Sequence, residues 1–227
     1  DANTVTAAFD GNGTFTGDIG NATVTVDNGV TMTLTAAKAD GKTINEADGE
    51  DATVAVTALH STLGADLSAI TTNAVTAAFD GSGTFTGDLG TATVTVADGQ
   101  TMTTSGTIAE NKTINKAGTG ALAVTVGSGD AGVDLTSIGG TALSSVTVNG
   151  SVTFSGTLDD AVSTTLADGS TFTTTAAIAD GKTIADGTDT ATVNITALHS
   201  TLGADLSGVD ANTVTAAFDG NGTFTGD

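Results

Sequence analysis

The chain has no cysteine, proline, tryptophan or tyrosine, and its 5 basic residues are all lysine. Lack of cysteine excludes disulfides but leaves the compartment open, since secreted proteins use disulfides or dispense with them. Lack of proline removes the rigid linkers that usually separate domains strung like beads. Against so few lysines stand 26 acidic residues, for a formal charge of −21. That field repels nucleic acid and anionic membrane surfaces, so neither is an expected partner. It also keeps a long polymer soluble and offers many weak oxygen ligands to divalent cations. No run approaches the roughly 18 apolar residues of a membrane helix, and no basic segment followed by an apolar one opens the chain. Membrane insertion is not expected. Any targeting signal of a longer parent chain would lie outside this sequence.

What is present is repetition. The stretch DANTVTAAFDGNGTFTGD at Asp1 to Asp18 returns unchanged at Asp210 to Asp227, and NAVTAAFDGSGTFTGD occupies Asn73 to Asp88. Gly41-Lys42-Thr43-Ile44 recurs as Asn111-Lys112-Thr113-Ile114 and as Gly181-Lys182-Thr183-Ile184, while TALHSTLGADLS occurs at Thr57 to Ser68 and at Thr196 to Ser207. These landmarks divide the chain into a repeat unit A (1–70), B (71–140) and C (141–209), with 210–227 starting the next A unit. Identity over so long a stretch suggests a window of a longer tandem protein. Self-repulsion and 31 glycines would suit a disordered chain, but 38% of the residues are hydrophobic and regularly spaced, which argues for a packed fold.

The spacing is that of short β-strands. Ala22 to Val26 and Thr31 to Thr35 alternate strictly, and turn clusters such as Asp10-Gly-Asn-Gly13 and Asp27-Asn-Gly29 interrupt the strands every ten residues or so. Helix finds little support in a chain about one-fifth threonine, and Leu59 to Leu67 is the stretch most compatible with a helical turn. Two all-β architectures fit a unit of this size. One is a string of small immunoglobulin-like sandwiches; the other is a β-solenoid, or parallel β-helix, with coils of roughly 18 to 23 residues stacked at about 4.8 Å. Sandwiches want a bulky core, whereas Ala, Val, Ile and Thr fill the narrow interior of a solenoid. Like residues at equivalent positions, Met32, Met102 and Phe172 or Phe15, Phe85 and Phe154, favour the solenoid further.

Stretches such as Thr93 to Ile108 (TVTVADGQTMTTSGTI) and Thr174 to Ile184 (TTAAIADGKTI) resemble the repeat regions of bacterial surface adhesins, autotransporter passengers and giant tandem-repeat exoproteins. That resemblance implies an exported, extracellular or cell-surface protein with a structural or adhesive role, partnered by neighbouring copies of itself or by continuing repeats. Verbatim repetition leaves little unique sequence for a catalytic centre, so no enzyme is expected. His60 and His199 occupy one position in two copies without Cys or a second His beside them, and Ser61 and Ser200 lack the setting of a nucleophile elbow. Lys42, Lys112 and Lys182 read as solvated charges beside Asp-Gly turns.

Metal binding is the chemistry the composition most nearly supports. Asp10, Asp18, Asp80 and Asp88 are the candidate ligands, with Ca²⁺ the expected ion if turn acids converge. Asp10-Gly-Asn-Gly departs from the EF-hand spacing at Thr14, and Gly127 to Leu135 is out of register with the calcium nonapeptide repeat. A second surface chemistry comes from Thr-x-Thr pairs such as Thr14/Thr16, Thr31/Thr33 and Thr101/Thr103, which on a flat face would form the hydroxyl-and-methyl grid of an ice-binding solenoid. Solenoid ends expose sheet edges, so contacts at Asp1 and Asp227 are the expected place for assembly.

Overall fold

A computed structural model describes residues 5–47, 49, 51–188, 190–199, 202–220, 223 and 225–226. Asp1, Asp227 and Ser200 therefore lie outside the described residues. The chain forms two compact units: one of residues Asp1–Thr103, Lys112–Leu122 and Gly139–Ala142, the other of Thr104–Asn111, Ala123–Ile138 and Leu143–Asp227. Each is a β-solenoid.

In the first unit, Thr6–Phe9, Thr23–Val26, Ile44–Glu46 and Ile70–Thr71 make one sheet, and Gly13–Thr14, Thr31–Thr35, Thr53–His60, Ala74–Gly81, Thr93–Val96, Thr113–Lys116 and Gly139–Gly140 make another. Neighbours within each sheet are parallel throughout. Parallel pairing needs a crossover between partners, which a coil supplies and an antiparallel sandwich does not. The sandwich alternative is thereby set aside. Thr6 faces Thr23, Val24 faces Ile44 and Ile44 faces Ile70, so coils run from 17 to 26 residues, a wider spread than the sequence suggested. The second unit repeats the scheme with Leu143–Val148, Thr164–Leu166, Ile184–Asp186 and Val209–Asp210 in one sheet and Ser151–Thr153, Thr171–Thr175, Thr192–Leu198 and Thr213–Phe218 in another.

Alternation sorts side chains inward and outward. Inward columns stack like on like: Leu34, Val56, Ala77, Val94 and Ile114 in the first unit, and Val152, Phe172, Val193 and Val214 in the second. Phe79 and Phe85 meet edge to face at 6.5 Å, and Phe154 packs on Phe172 at 5.7 Å. Among the described residues, every buried side-chain polar atom has a hydrogen-bond partner.

Helical turns do occur, but elsewhere than Leu59 to Leu67, where strand Thr53–His60 gives way to a turn and an extended segment. They lie at Ala36–Ala39, Gly106–Ala109 and Ala176–Ala179. The reason is local. Ser105 and Thr175 side chains accept from Ile108 N and Ile178 N, capping the turn, and the small first and last residues let it pass directly over the interior.

Strands of like sequence occupy different sheets. Thr6–Phe9 opens the four-stranded sheet, whereas Ala74–Gly81, carrying the same TAAF, continues the seven-stranded one beside Thr53–His60. In the second unit, Leu143–Val148 and Thr213–Phe218, which open successive repeats, are likewise in separate sheets. Seven strands run from Thr6–Phe9 to Ile70–Thr71. Because that number is odd and these strands enter two sheets in turn, the second repeat opens in the sheet that the first repeat's opening strand does not use.

Candidate functional site

Among the described residues, the chemistry-bearing groups are arrayed along the corners and outer faces of the coils. At the corners, carboxylates accept from backbone N–H groups two residues ahead, the Asx-turn geometry that short acidic side chains favour. Asp18 takes Gly20 N at 2.8 Å and Asp88 takes Gly90 N at 2.8 Å. Asp66 takes both Ser68 N and Ser68 Oγ. Corners are also tied from coil to coil: Asp40 Oδ1 accepts from Asp66 N at 2.9 Å, and Asp66 in turn lies beside Asp88 in a parallel bridge.

Such bonds favour the ionised form. The Ser68 hydroxyl and amide hold the Asp66 carboxyl below its ordinary value, and Ser207 does the same for Asp205. Asp98 is lowered by the Thr119 amide and hydroxyl, Asp134 by the Thr136 hydroxyl, and Asp186 chiefly by the Thr188 amide. Acids doing this work are turn anchors.

Two of the predicted calcium ligands, Asp18 and Asp88, fall into that pattern. Asp10 and Asp80 are exposed on either copy of the segment that follows TAAF, Asp18 and Asp88 are the corner residues just described, and all four are at the surface. Among the described residues, no group of three or more His, Cys, Asp or Glu stands close enough to hold a metal ion. Within the stretch Gly127 to Leu135, Asp130 is buried, and its carboxylate clamps Thr107 N at 2.8 Å and Gly127 N at 2.9 Å.

His60 Nδ1 contacts Thr62 Oγ1 at 2.7 Å, and Ser61 Oγ donates to Ser82 O, so the two do not engage each other as nucleophile and base. The repeated lysines do more than face solvent. Lys42 Nζ donates to Gly20 O at 2.8 Å and Lys112 Nζ to Gly90 O at 2.5 Å, while Lys182 contacts the Asp160 carboxylate. Each ties its coil to the corner of the coil before it. Their recurrence with the repeat is the signal for this tie, which the reading as solvated charges leaves out. Glu46 was not anticipated: Oε1 accepts from Ala52 N and Oε2 from Asn73 N, and Asp186, at the same position of unit C, accepts from Ala191 N and Asn212 N.

Outward side chains form polar columns. In the second unit Ser151, Thr171, Thr192 and Thr213 align, as do Thr153, Thr173, Asn194 and Thr215. Asn194 donates to Thr173 Oγ1 and accepts from Thr215 Oγ1 at 2.7 Å. In the first unit the column Thr14, Thr33, Ala55, Thr76, Thr93 is interrupted at Ala55. Among the described residues, no helix is long and apolar enough to cross a membrane. No family model, curated protein or solved structure matches the chain.

Proposed function

We propose that this β-solenoid is a structural repeat segment of an exported fibre, stalk, adhesin or surface-layer protein, placed outside the cell or on its surface and acting by self-association and surface contact without catalysis. One observation carries the reading. Columns run from coil to coil through the parallel sheets, Thr153, Thr173, Asn194 and Thr215 outside and Val152, Phe172, Val193 and Val214 inside, a stacked repeat scaffold. Coils stacked in this way bury each repeat against its neighbours and present one repeating outer surface for contact. Sedimentation velocity over a concentration series, with electron microscopy of the heaviest fractions, tests it: the expected result is growth along one axis. A chain that stays monomeric at the highest concentration reached would remove self-association.

The paired columns from Ser151 to Thr213 and from Thr153 to Thr215 favour ice binding as a second reading. Thermal hysteresis that vanishes in Thr171→Lys/Thr213→Lys would support it. The calcium-dependent form of adhesion draws on the acidic surface alone. Melting in Ca²⁺ and in chelator at matched ionic strength decides it, and a melting temperature indifferent to millimolar calcium would remove it.

A further inference from the structure

One turn recurs in all three repeats with a single chemical difference. Val30 N–H donates to Asp27 O at 3.1 Å, Gln100 N–H to Ala97 O at 3.0 Å and Ser170 N–H to Ala167 O at 3.0 Å, and the third residue of each turn is a left-handed glycine, Gly29, Gly99 or Gly169. The second residue is Asp98 in repeat B and Asp168 in repeat C, but Asn28 in repeat A. In the two aspartate turns a threonine of the next coil ties both residues down. Thr119 Oγ1 donates to the Asp98 carboxylate at 2.9 Å and accepts from Gly99 N at 3.1 Å. Thr190 Oγ1 donates to the Asp168 carboxylate and accepts from Gly169 N at 3.0 Å. Each threonine stands two residues before the one whose N–H meets the end of the turn, Ala121 on Gln100 O and Thr192 on Ser170 O. In repeat A that residue is Thr53, on Val30 O, and two before it is Asp51. Asn28 and Gly29 are exposed, and among the described residues neither the Asn28 amide nor the Gly29 N–H has a hydrogen-bond partner.

We propose that Asn28–Gly29 is a site of spontaneous modification: in the folded chain Asn28 deamidates ahead of the other Asn–Gly pairs among the described residues, and the conversion loosens its turn. Gly29 N attacks Asn28 Cγ. The new C–N bond closes a five-membered succinimide, and the side-chain amide leaves as ammonia, taking up the proton that Gly29 N gives up. Water then opens the ring at one carbonyl or the other, leaving aspartate or isoaspartate at position 28. One water is consumed, one ammonia is released and one negative charge is gained. Glycine brings no Cβ to crowd the attacking nitrogen, and the space around Gly29 is open. The competing pairs are held. Asn12 Oδ1 accepts from Thr31 N at 2.6 Å, which fixes its side chain, and Gly150 N donates to Ser170 Oγ at 3.0 Å, which engages the nucleophile. A hydrogen bond that must break first slows ring closure about fivefold. Conversion adds a carboxylate where repeat A offers Asp51 in place of a hydroxyl donor, so repulsion arises where the sister turns have a bond.

The test incubates the full chain in mildly alkaline buffer and follows the mass gain at each Asn by peptide mapping, with fragment ions placing it on the residue. Each rate is divided by the rate of the same pair in urea, which removes the effect of neighbouring sequence. That ratio should be about fivefold higher for Asn28 than for Asn12 or Asn149. Asp98→Asn sets an Asn–Gly pair in a turn whose glycine N–H is tied, and should convert at a ratio like that of Asn149. Asp98→Asn/Thr119→Ala unties the glycine without a further change of charge and should approach the ratio of Asn28. A ratio for Asn28 no higher than for Asn12 and Asn149 would overturn the site, and an untied pair no faster than the tied one would overturn its cause. The consequence is read by melting. Asn28→Asp should lower the melting temperature of the wild-type chain and leave that of Asp51→Thr, which rebuilds the sister pair, unchanged or raised. An equal drop in both backgrounds, or none in the wild-type chain, would overturn the loosening of the turn.

Discussion

Ala58 and Ala197, one position in two repeats, sit at φ of 55° and 53°, in the left-handed region that a Cβ disfavours by about 1 kcal/mol. Both fall where strand register shifts, between Val56 and Leu59 and between Ile195 and Leu198. Ala58→Gly should therefore stabilise the fold by up to about 1 kcal/mol despite glycine's looser unfolded state, read as a higher denaturation midpoint. A lower midpoint would mean that the shift carries no strain. Alanine has no leaning toward this backbone, which is why the bulge was invisible in the sequence. Gly41, Asn111 and Gly181 were legible by contrast: the position is left-handed in all three, and Gly or Asn is what it accepts. Asp130 belongs to neither class. The stretch around it is out of register with the calcium nonapeptide, which left it without a role in the sequence, but burial makes it a clamp for two N–H groups, so Asp130→Ala should cost about 2 kcal/mol by urea unfolding at neutral pH.

At the scale of elements, the stacking of coils decides which substitutions matter. A Cβ on Gly87 would collide with Ala65 O, and one on Gly156 with Val133 O, backbone contacts that side-chain motion cannot relieve. The equivalent Gly17 would meet only the Phe15 side-chain ring. Gly87→Ala should thus cost about 3 kcal/mol or more and Gly17→Ala under about 1, compared by thermal melting; equal effects would deny that stacking sets the requirement. Turn acids give the elements a pH signature. Asp66 is lowered in the folded state, so its contribution is complete above the unfolded value of about 4 and is lost as pH falls through and below it. The stability gap between wild type and Asp66→Asn should accordingly be level from pH 5 to 7 and close on acidification to about pH 3. Strands and turns of this kind were readable from alternation and from Asp-Gly clusters. The three helical turns were not, since AAKA, GTIA and AAIA are too short for a helical period and rest on the interior beneath them, with side-chain caps at Ser105 and Thr175 for the latter two.

For the whole molecule, the repeat and the small apolar residues made a solenoid the better reading, and parallel pairing is what decided it. The sideways step of each repeat was out of reach, because a period in sequence does not say how many strands divide it, and an odd number moves like strands to unlike sheets. Coil stacking also concentrates charge. Adjacent coils bring corner acids such as Asp66 and Asp88 into neighbouring positions, closer than the screening length of about 30 Å at 0.01 M salt or about 10 Å at 0.1 M. An extended chain holds the same acids further apart, so the −21 of the sequence opposes folding at low ionic strength. Lysine offsets little of it, since 5 basic residues stand against 26 acidic ones. Raising NaCl from about 0.01 M to about 0.2 M should lift the melting temperature by about 3 °C or more, with most of the rise complete by 0.1 M, where screening has already taken hold. Potassium chloride should match sodium chloride, because screening does not depend on which monovalent cation supplies it. A melting temperature that stays flat or falls with salt would show that the corner hydrogen bonds outweigh the repulsion between the coils that carry them.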